Sequence, residues 1–312
     1  MAQPALEKLI AYSAEPERLN RSIDYLAEHL GRFLKKREKV LICFQDHQSG
    51  GMSWLMEQAV ARCDAIPVVW GPDRTWRALL RLAFTSKASV FIGAPLIALG
   101  LTKLKKAASI PLYIRKVITA GYPCLDWMID GIVEGFDCEM GGCFSVGMSS
   151  VVAGFACGKS WGVHLRDQEY GVDIVDARGN LLPPGELGEM VLYPRELPDL
   201  RCPLGEFARM EMELCPCGCP AVRLLDFAPG KTADPDLLAL GQELQSWTSI
   251  LDCRLNKGEG GLEIEIIVFP GEKLPKLPSA AKLIIRPWDP ETDEPFWYIP
   301  RVKNPENSWE SH

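Results

Sequence analysis

Between residues 19 and 144 of this 312-residue chain, short apolar runs alternate with amphipathic segments five times. Apolar residues three and four positions apart predict helices at 19–34, 52–63, 75–84, 95–107 and 124–133. Compact apolar runs predict strands at 40–44, 66–70, 90–92, 117–120 and 138–144. Because helices commonly connect parallel strands at this spacing, the sequence predicts an α/β fold in which helices sandwich a mostly parallel sheet.

The pattern changes after Phe144. Segments 170–176, 180–186 and 189–193 are predicted to be strands joined by turns, which indicates a β-rich subdomain at about 145–228. The break at 227–230 (Phe-Ala-Pro-Gly) is interpreted as a boundary between domains 1–228 and 229–312. The second domain is predicted to be a small α+β unit with a helix at 237–251 and strands at 262–269 and 282–285. We expect an irregular tail that packs through Trp288, Phe296 and Trp297.

Four residues have the types and grouping of a four-ligand zinc site: Cys157, His164, Cys215 and Cys217. Zinc prefers thiolate and imidazole ligands, and four of them close a tetrahedron with no open position. The prediction is therefore a structural zinc site within the β-rich subdomain. Small cysteines can instead fill a core, but a Cys-x-Cys-x-Cys turn containing Pro and Gly disfavours that interpretation. Cys219 remains open as the fourth ligand.

The formal net charge of −7 argues against nucleic acid as a partner, because phosphate binding needs clustered Lys and Arg. Two basic clusters, within 32–37 and at Lys103, Lys105 and Lys106, are predicted to be solvated helix faces. The sequence contains neither a recognisable export signal nor an apolar run of about 20 residues, so we expect a cytoplasmic protein without a membrane partner. The eleven cysteines are expected to be reduced thiols and metal ligands, and some to be small core residues (Cys43, Cys63, Cys124 and Cys138).

A series of short motifs follows in order along the chain: Ala-Gly-Tyr-Pro at 120–123, Ser-Val-Gly-Met-Ser-Ser at 145–150, Pro-Pro-Gly-Glu-Leu-Gly-Glu at 183–189, an acidic position within 201–206, and Leu-Cys-Pro-Cys-Gly at 214–218. This order resembles the phenylacetate-CoA ligase group of the AMP-forming acyl-CoA ligases, the adenylate-forming superfamily, over about 39–227 and more weakly to about 252. The resemblance implies the fold of those ligases, a structural zinc and a chain shortened at the N-terminus.

The resemblance also implies a nucleotide crevice. It would be bordered by Ala120, Gly121, Tyr122, Val146, Gly147 and Met148, with Glu206 on the ribose side. We expect the crevice at the C-terminal ends of the parallel strands, beside Phe44 and Gln45. Gly121 and Gly147 would let the backbone approach a flat ring, and Tyr122 would offer a stacking face. AMP or ATP, CoA and a small carboxylate are ligands implied by the resemblance alone.

Several positions depart from the ligase pattern. The phosphate loop ending in Gly-x-Pro-Lys has no counterpart, and Gln-Ser-Gly-Gly-Met-Ser at 48–53 is predicted to be a helix entry. Val146 and Ser150 stand where the ligases carry a Tyr and a Glu that supports Mg²⁺. Gly-Lys-Thr-Ala-Asp at 230–234 loosely resembles the hinge between the ligase domains. Catalytic residues therefore stay unidentified, with Lys282 and Lys303 as candidates for the lysine of the small domain.

His47, beside Asp46 at the end of the first strand, is interpreted either as an acyl-pocket residue or as an exposed loop histidine. Two functions stay open for the chain. One is an AMP-dependent acyl-CoA ligase that passes an activated acyl group to a thiol. The other is a non-catalytic, zinc-stabilised protein with a degenerate active site that binds a ligand or a partner, either a second copy or another protein. Because adenylation depends on neutralising phosphate charge, the departures favour the second.

Overall fold

The computed structural model describes residues 3–45, 48–160, 162–229, 235–258, 261–271 and 282–296. The described residues form the helices α1 Gln3–Ser13, α2 Pro16–Leu30, α3 Met52–Arg62, α4 Trp76–Ser86, α5 Pro95–Ala107, α6 Asp126–Phe136 and α7 Pro235–Ser246. The strands are β1 Lys39–Cys43, β2 Ile66–Val69, β3 Val90–Gly93, β4 Lys116–Thr119, β5 Glu139–Ser145, β6 Val152–Phe155, β7 Val163–Leu165, β8 Tyr170–Val175, β9 Leu187–Pro194, β10 Cys202–Glu211, β11 Arg223–Pro229, β12 Ile250–Gly258, β13 Gly261–Val268 and β14 Lys282–Pro287.

Eleven strands form one mixed sheet in the order β2-β1-β3-β4-β5-β6-β7-β11-β10-β9-β8. The pairs from β2 to β5 are parallel, and the pairs from β5 to β8 are antiparallel. Strand β5 therefore joins the two halves. The predicted α/β fold with a sheet of parallel strands and crossover helices is confirmed for the first half, and a mixed sheet extends it.

Helices cover both faces of the parallel half. One core contains residues of α4, α5 and α6 together with Leu41, Phe91 and Val117. The other core contains residues of α2 and α3 together with Val40, Ile42 and Ile92. Successive residues of a strand point to opposite faces, so strands buried on both sides need continuous apolar runs such as Val-Leu-Ile in β1.

The antiparallel half has its own core, to which α1 contributes. Leu9 of α1 is fully buried in the cluster that includes Ala208 of β10, and α1 packs against β10. The Ser13 and Tyr170 hydroxyls lie 3.0 Å apart, which joins the end of α1 to β8. A second sheet of order β12-β13-β14 packs against α7 and α5. Among the described residues, none of the helices combines the length and the apolar character needed to cross a bilayer.

Some predicted elements are wrong. Residues 180–186 form a loop and not a strand, and the prolines at 183 and 184 cannot donate ladder hydrogen bonds. Helix α7 ends at Ser246, so Trp247 and Leu251 lie outside it, and Leu251 belongs to β12. Lys103 is buried and not solvated. The interpretations of Asp46, His47, Trp297, Lys303 and the segment 230–234 lie outside the described residues.

Candidate metal centre and ligand cleft

The four cysteine and histidine residues singled out from the sequence come together in the antiparallel half. Cys157 follows β6, His164 lies on β7, and Cys215 and Cys217 lie in the turn between β10 and β11. Strand β7 pairs with β11 at His164 and Arg223, which brings the turn to the histidine. The four ligand atoms lie within 4.8 Å of one another.

The distances fit one tetrahedral ion. Zinc–sulfur bonds of about 2.3 Å and zinc–nitrogen bonds of about 2.0–2.1 Å place two sulfurs about 3.8 Å apart and a sulfur and a nitrogen about 3.5 Å apart. Cys157 Sγ lies 3.7 Å from Cys215 Sγ. Cys217 Sγ lies 3.4 Å from His164 Nε2. The donor set of three thiols and one imidazole is one that zinc prefers.

The surroundings orient these ligands. His164 is buried, and its Nδ1 lies 3.1 Å from the Ala221 carbonyl oxygen, to which the Nδ1–H tautomer donates, so the Nε2 lone pair faces the thiols. Backbone N–H groups donate to the sulfurs: Lys159 to Cys157 Sγ and Cys219 to Cys217 Sγ, both at 3.4 Å. Cys219 thus contributes its amide, and its thiol is not among the four clustered ligand atoms.

The thiols differ in electrostatics. Burial opposes ionisation of Cys157, but the amides of Lys159 and Ser160 and the nearby His164 bring the pKa of this thiol below its usual value. The pKa of Cys217 is raised, first by burial and then by the neighbouring thiols of Cys215 and Cys157. Three thiols this close do not all ionise without a cation to neutralise them.

A cleft of about 650 Å³ opens beside β5, where the beginning of α6, strands β10 and β11, and Gln242 of α7 converge. Its walls carry the aromatic side chains of Tyr122, Trp127, Phe144 and Phe227. The last two rings pack with their centroids 5.3 Å apart. Gly158, Ser160 and Gly162 also line the cleft, so the segment after Cys157 connects the Cys/His cluster to the cleft wall.

Of the seven residues predicted to border a nucleotide, two line the cleft and five do not. Tyr122 and Glu206 line the cleft. Five others form two adjoining turns that are not part of its lining: Ala120, Gly121, Val146, Gly147 and Met148. The Gly121 N–H donates to Ser145 Oγ (3.1 Å), and this hydroxyl donates to the Gly147 carbonyl oxygen (3.0 Å).

Met148 fills the space next to Gly121. A Cβ at Gly121, which has a φ of +86°, would lie 3.2 Å from Met148 Cγ. The open volume is therefore on the Tyr122 side of the turn. At the end of β1, Arg74 donates to the carbonyl oxygens of Phe44 (3.3 Å) and Gln45 (2.6 Å), so this predicted edge of the crevice is occupied by a side chain of the protein itself.

The charged residues of the cleft are mostly acidic. Asp126, Glu206 and Asp226 contribute carboxylates to the described lining, and Arg209 contributes a guanidinium. Arg209 Nε lies 2.9 Å from Asp226 Oδ2. Four residues of the lining were not predicted from the sequence: Arg209, Asp226, Trp127 and Phe227. The run Leu-Leu-Asp-Phe-Ala at 224–228 is an apolar strand signal that could have indicated the last of these walls.

The fold resembles that of solved AMP-forming acyl-CoA ligases. 2-Hydroxyisobutyryl-CoA ligase in the postadenylation state with R3-HIB-AMP superposes with a TM-score of 0.67 at 16% identity, covering 91% of this chain and 69% of that one. The same ligase with 2-HIB-AMP and CoA in the thioesterification state gives 0.61 at 17% identity, covering 91% and 68%. A benzoate-CoA ligase from Burkholderia xenovorans gives 0.52 at 14% identity, covering 85% and 62%. No family model and no curated protein matches the sequence.

Proposed function

We propose that this chain is a ligand-binding protein built on the adenylate-forming ligase fold, and that its cleft holds a small molecule with an aromatic ring. The observation that carries this proposal is the cleft of about 650 Å³ with four aromatic walls and Glu206 at its side. Ligand pockets of about 300–1,000 Å³ accommodate small molecules of this size. The motifs at 120–123, 145–150 and 214–218 favour the phenylacetate-CoA ligase group among the ligases. We also propose domains at 1–228 and 229–312.

A nucleoside suits the polar groups of the cleft. The Glu206 carboxylate would accept hydrogen bonds from ribose hydroxyls, and the Tyr122 ring would stack on a base.

The charges favour the nucleoside half over a triphosphate. Three carboxylates and one guanidinium line the described part of the cleft, and the guanidinium of Arg209 is already paired with Asp226. Each added phosphate brings further negative charge close to these carboxylates. Adenylation needs the opposite, because its transition state gains stability when charge on the α-phosphate is neutralised. We therefore propose binding without adenylation.

The alternative function is an AMP-forming acid–thiol ligase. The likeness in fold to ligases solved with acyl-adenylate ligands favours it. In that case the cleft would bind a small carboxylate, ATP and CoA in turn. Both functions share the same proposed zinc, held by Cys157, His164, Cys215 and Cys217. It would fix Gly158, Ser160 and Gly162, which border the cleft.

Isothermal titration with adenosine, AMP, ATP–Mg²⁺ and CoA tests the proposal. Adenosine or AMP should bind no more weakly than ATP, and Glu206→Gln should weaken AMP by about 10-fold, the effect of losing one charge-assisted hydrogen bond. Glu134→Gln, an exposed site on α6 outside the cleft lining, should leave affinity unchanged. ATP binding about 100-fold tighter than AMP, a difference of about 2.7 kcal/mol, would refute the charge argument. Carboxylate-dependent release of pyrophosphate would establish the ligase instead.

A further inference from the structure

Lys103 is a buried cation on α5, although it begins a basic run. Only 6% of the residue is exposed. Its Nζ donates to the Ile250 carbonyl oxygen at 2.8 Å and to Gln245 Oε1 at 3.3 Å. Gln245 lies in the last turn of α7, where a cation also interacts favourably with the helix dipole, and Ile250 begins β12. The Lys103 ammonium therefore joins α5, which packs on the large sheet, to α7 and β12 of the C-terminal region.

Asp252 completes the network. It is also 6% exposed. Its Oδ1 accepts from Gln245 Nε2 (3.1 Å) and from the Cys253 N–H (2.9 Å), and its Oδ2 accepts from the Phe296 N–H (2.9 Å). The Gln245 amide thus links the cation to the carboxylate. Burial lowers the pKa of Lys103 to about 8 and raises the pKa of Asp252.

Apolar packing surrounds this network. Leu251, Ile267 and Phe269 of the C-terminal region belong to the same buried core as Trp76 and Leu101 of α4 and α5. A backbone hydrogen bond adds to the contact, because the Trp76 N–H donates to the Asp293 carbonyl oxygen at 2.9 Å. The three-stranded sheet therefore packs directly on the main core.

We propose that Lys103 is a positioning residue that fixes the C-terminal unit, described here by residues 235–258, 261–271 and 282–296, in one docking position on α5. Apolar contact is non-directional and tolerates sliding. A displacement of the unit by one helical turn would separate the Lys103 ammonium from the Ile250 and Gln245 oxygens that accept its hydrogen bonds. Gln242 lies one turn before Gln245 on α7 and lines the cleft. The contact between Lys103 and Gln245 therefore also holds α7 in place, so that this helix is a fixed wall of the cleft and not a lid that opens.

Hydrogen exchange measured by mass spectrometry tests this inference without any ligand, so it stands or fails apart from the proposed function. Lys103→Met and Gln245→Leu should each raise the exchange rates of α7 and β12 amides by at least about 10-fold, because each variant removes two buried hydrogen bonds, while β3 and β4 stay protected. Lys106→Met, an exposed position on the same helix, is the control. Because both residues act through one contact, the double variant should show less than the product of the single effects.

Two results would overturn the inference. One is that the α7 and β12 amides of Lys103→Met exchange as slowly as those of the wild type. The other is an equal loss of protection in β3 and β4, which would make Lys103 an ordinary member of the core. If Lys103→Met does not fold, Gln245→Leu alone decides, because it removes the bridge between Lys103 and Asp252 and keeps both charged groups.

Discussion

Zinc should stabilise this chain by an amount that the free zinc concentration sets. The four ligand atoms lie within 4.8 Å of one another, and their 3.7 Å and 3.4 Å separations fit a single ion. For one site that binds only the folded chain, the free energy of unfolding rises by RT ln(1 + [Zn]/Kd). Once the site is saturated, each tenfold increase in free zinc should add about 1.4 kcal/mol. A 1,000-fold range should add about 4 kcal/mol.

Urea unfolding in zinc-buffered solutions measures this slope, and elemental analysis should find one zinc per chain. Cys217→Ser removes one ligand and should abolish most of the slope. Cys63→Ser is the control, because its thiol donates to the Ala27 carbonyl oxygen (3.3 Å) far along the chain from the cluster. Unfolding free energies that do not change with zinc, or a slope that Cys217→Ser preserves, would refute a structural metal at these residues.

Two further substitutions test the structure around this site. In Gly154→Ala, the new Cβ would lie 2.5 Å from the His164 carbonyl oxygen and 2.8 Å from Val163 Cγ1, so β6 and β7 must separate. Urea unfolding should therefore show a loss of about 1–3 kcal/mol in the free energy of unfolding. The control Gly71→Ala, whose new Cβ would have nothing within 4 Å, should lose little stability. His29 has a pKa lowered by burial against Tyr25 and Phe155. Below the usual histidine pKa of 6.5 the unfolded chain binds a proton at His29 that the folded chain resists, so stability falls as pH drops. Between about pH 7 and about pH 5, His29→Gln should therefore lose less stability than the wild type. An equal loss in both proteins would contradict this explanation.

Residue type and spacing predicted the parts of the fold that depend on local pattern. The helix at 95–107 has the predicted bounds, because Pro95 favours a helix start and apolar residues continue to Leu104. The grouping of Cys157, His164, Cys215 and Cys217 was predicted because zinc requires particular side chains at short spacing, and the structure brings these four residues together. The exposure of Lys103 was mispredicted because a basic run favours a solvated helix face. The signal for burial is the set of apolar residues around the same helix, Leu99, Leu101 and Leu104, because a helix that is apolar on all sides is typically buried.

The cleft could be predicted only in part, because its walls depend on pairing between distant strands. Tyr122 and Glu206 were found through motifs, whereas Arg209 and Asp226 meet only when β10 pairs with β11. Neither strand has a clean alternation of apolar and polar residues, and β10 has register irregularities on both sides. The Met148 side chain fills the space beside Gly121. Packing of this kind cannot be predicted from the periodicity of the sequence.

The packing of α1 against β10 has a consequence for synthesis on the ribosome. About 190 residues separate Ser13 from Cys202. At about 5–20 residues per second, translation takes roughly 10–40 s to cover that distance. Throughout this interval Leu9 has no Ala208 to pack against, so the nascent chain carries a helix with an unpaired apolar face whose partner strand has not yet been made. Chaperones that shield early apolar segments should therefore engage residues 3–13 until the antiparallel half has emerged from the exit tunnel.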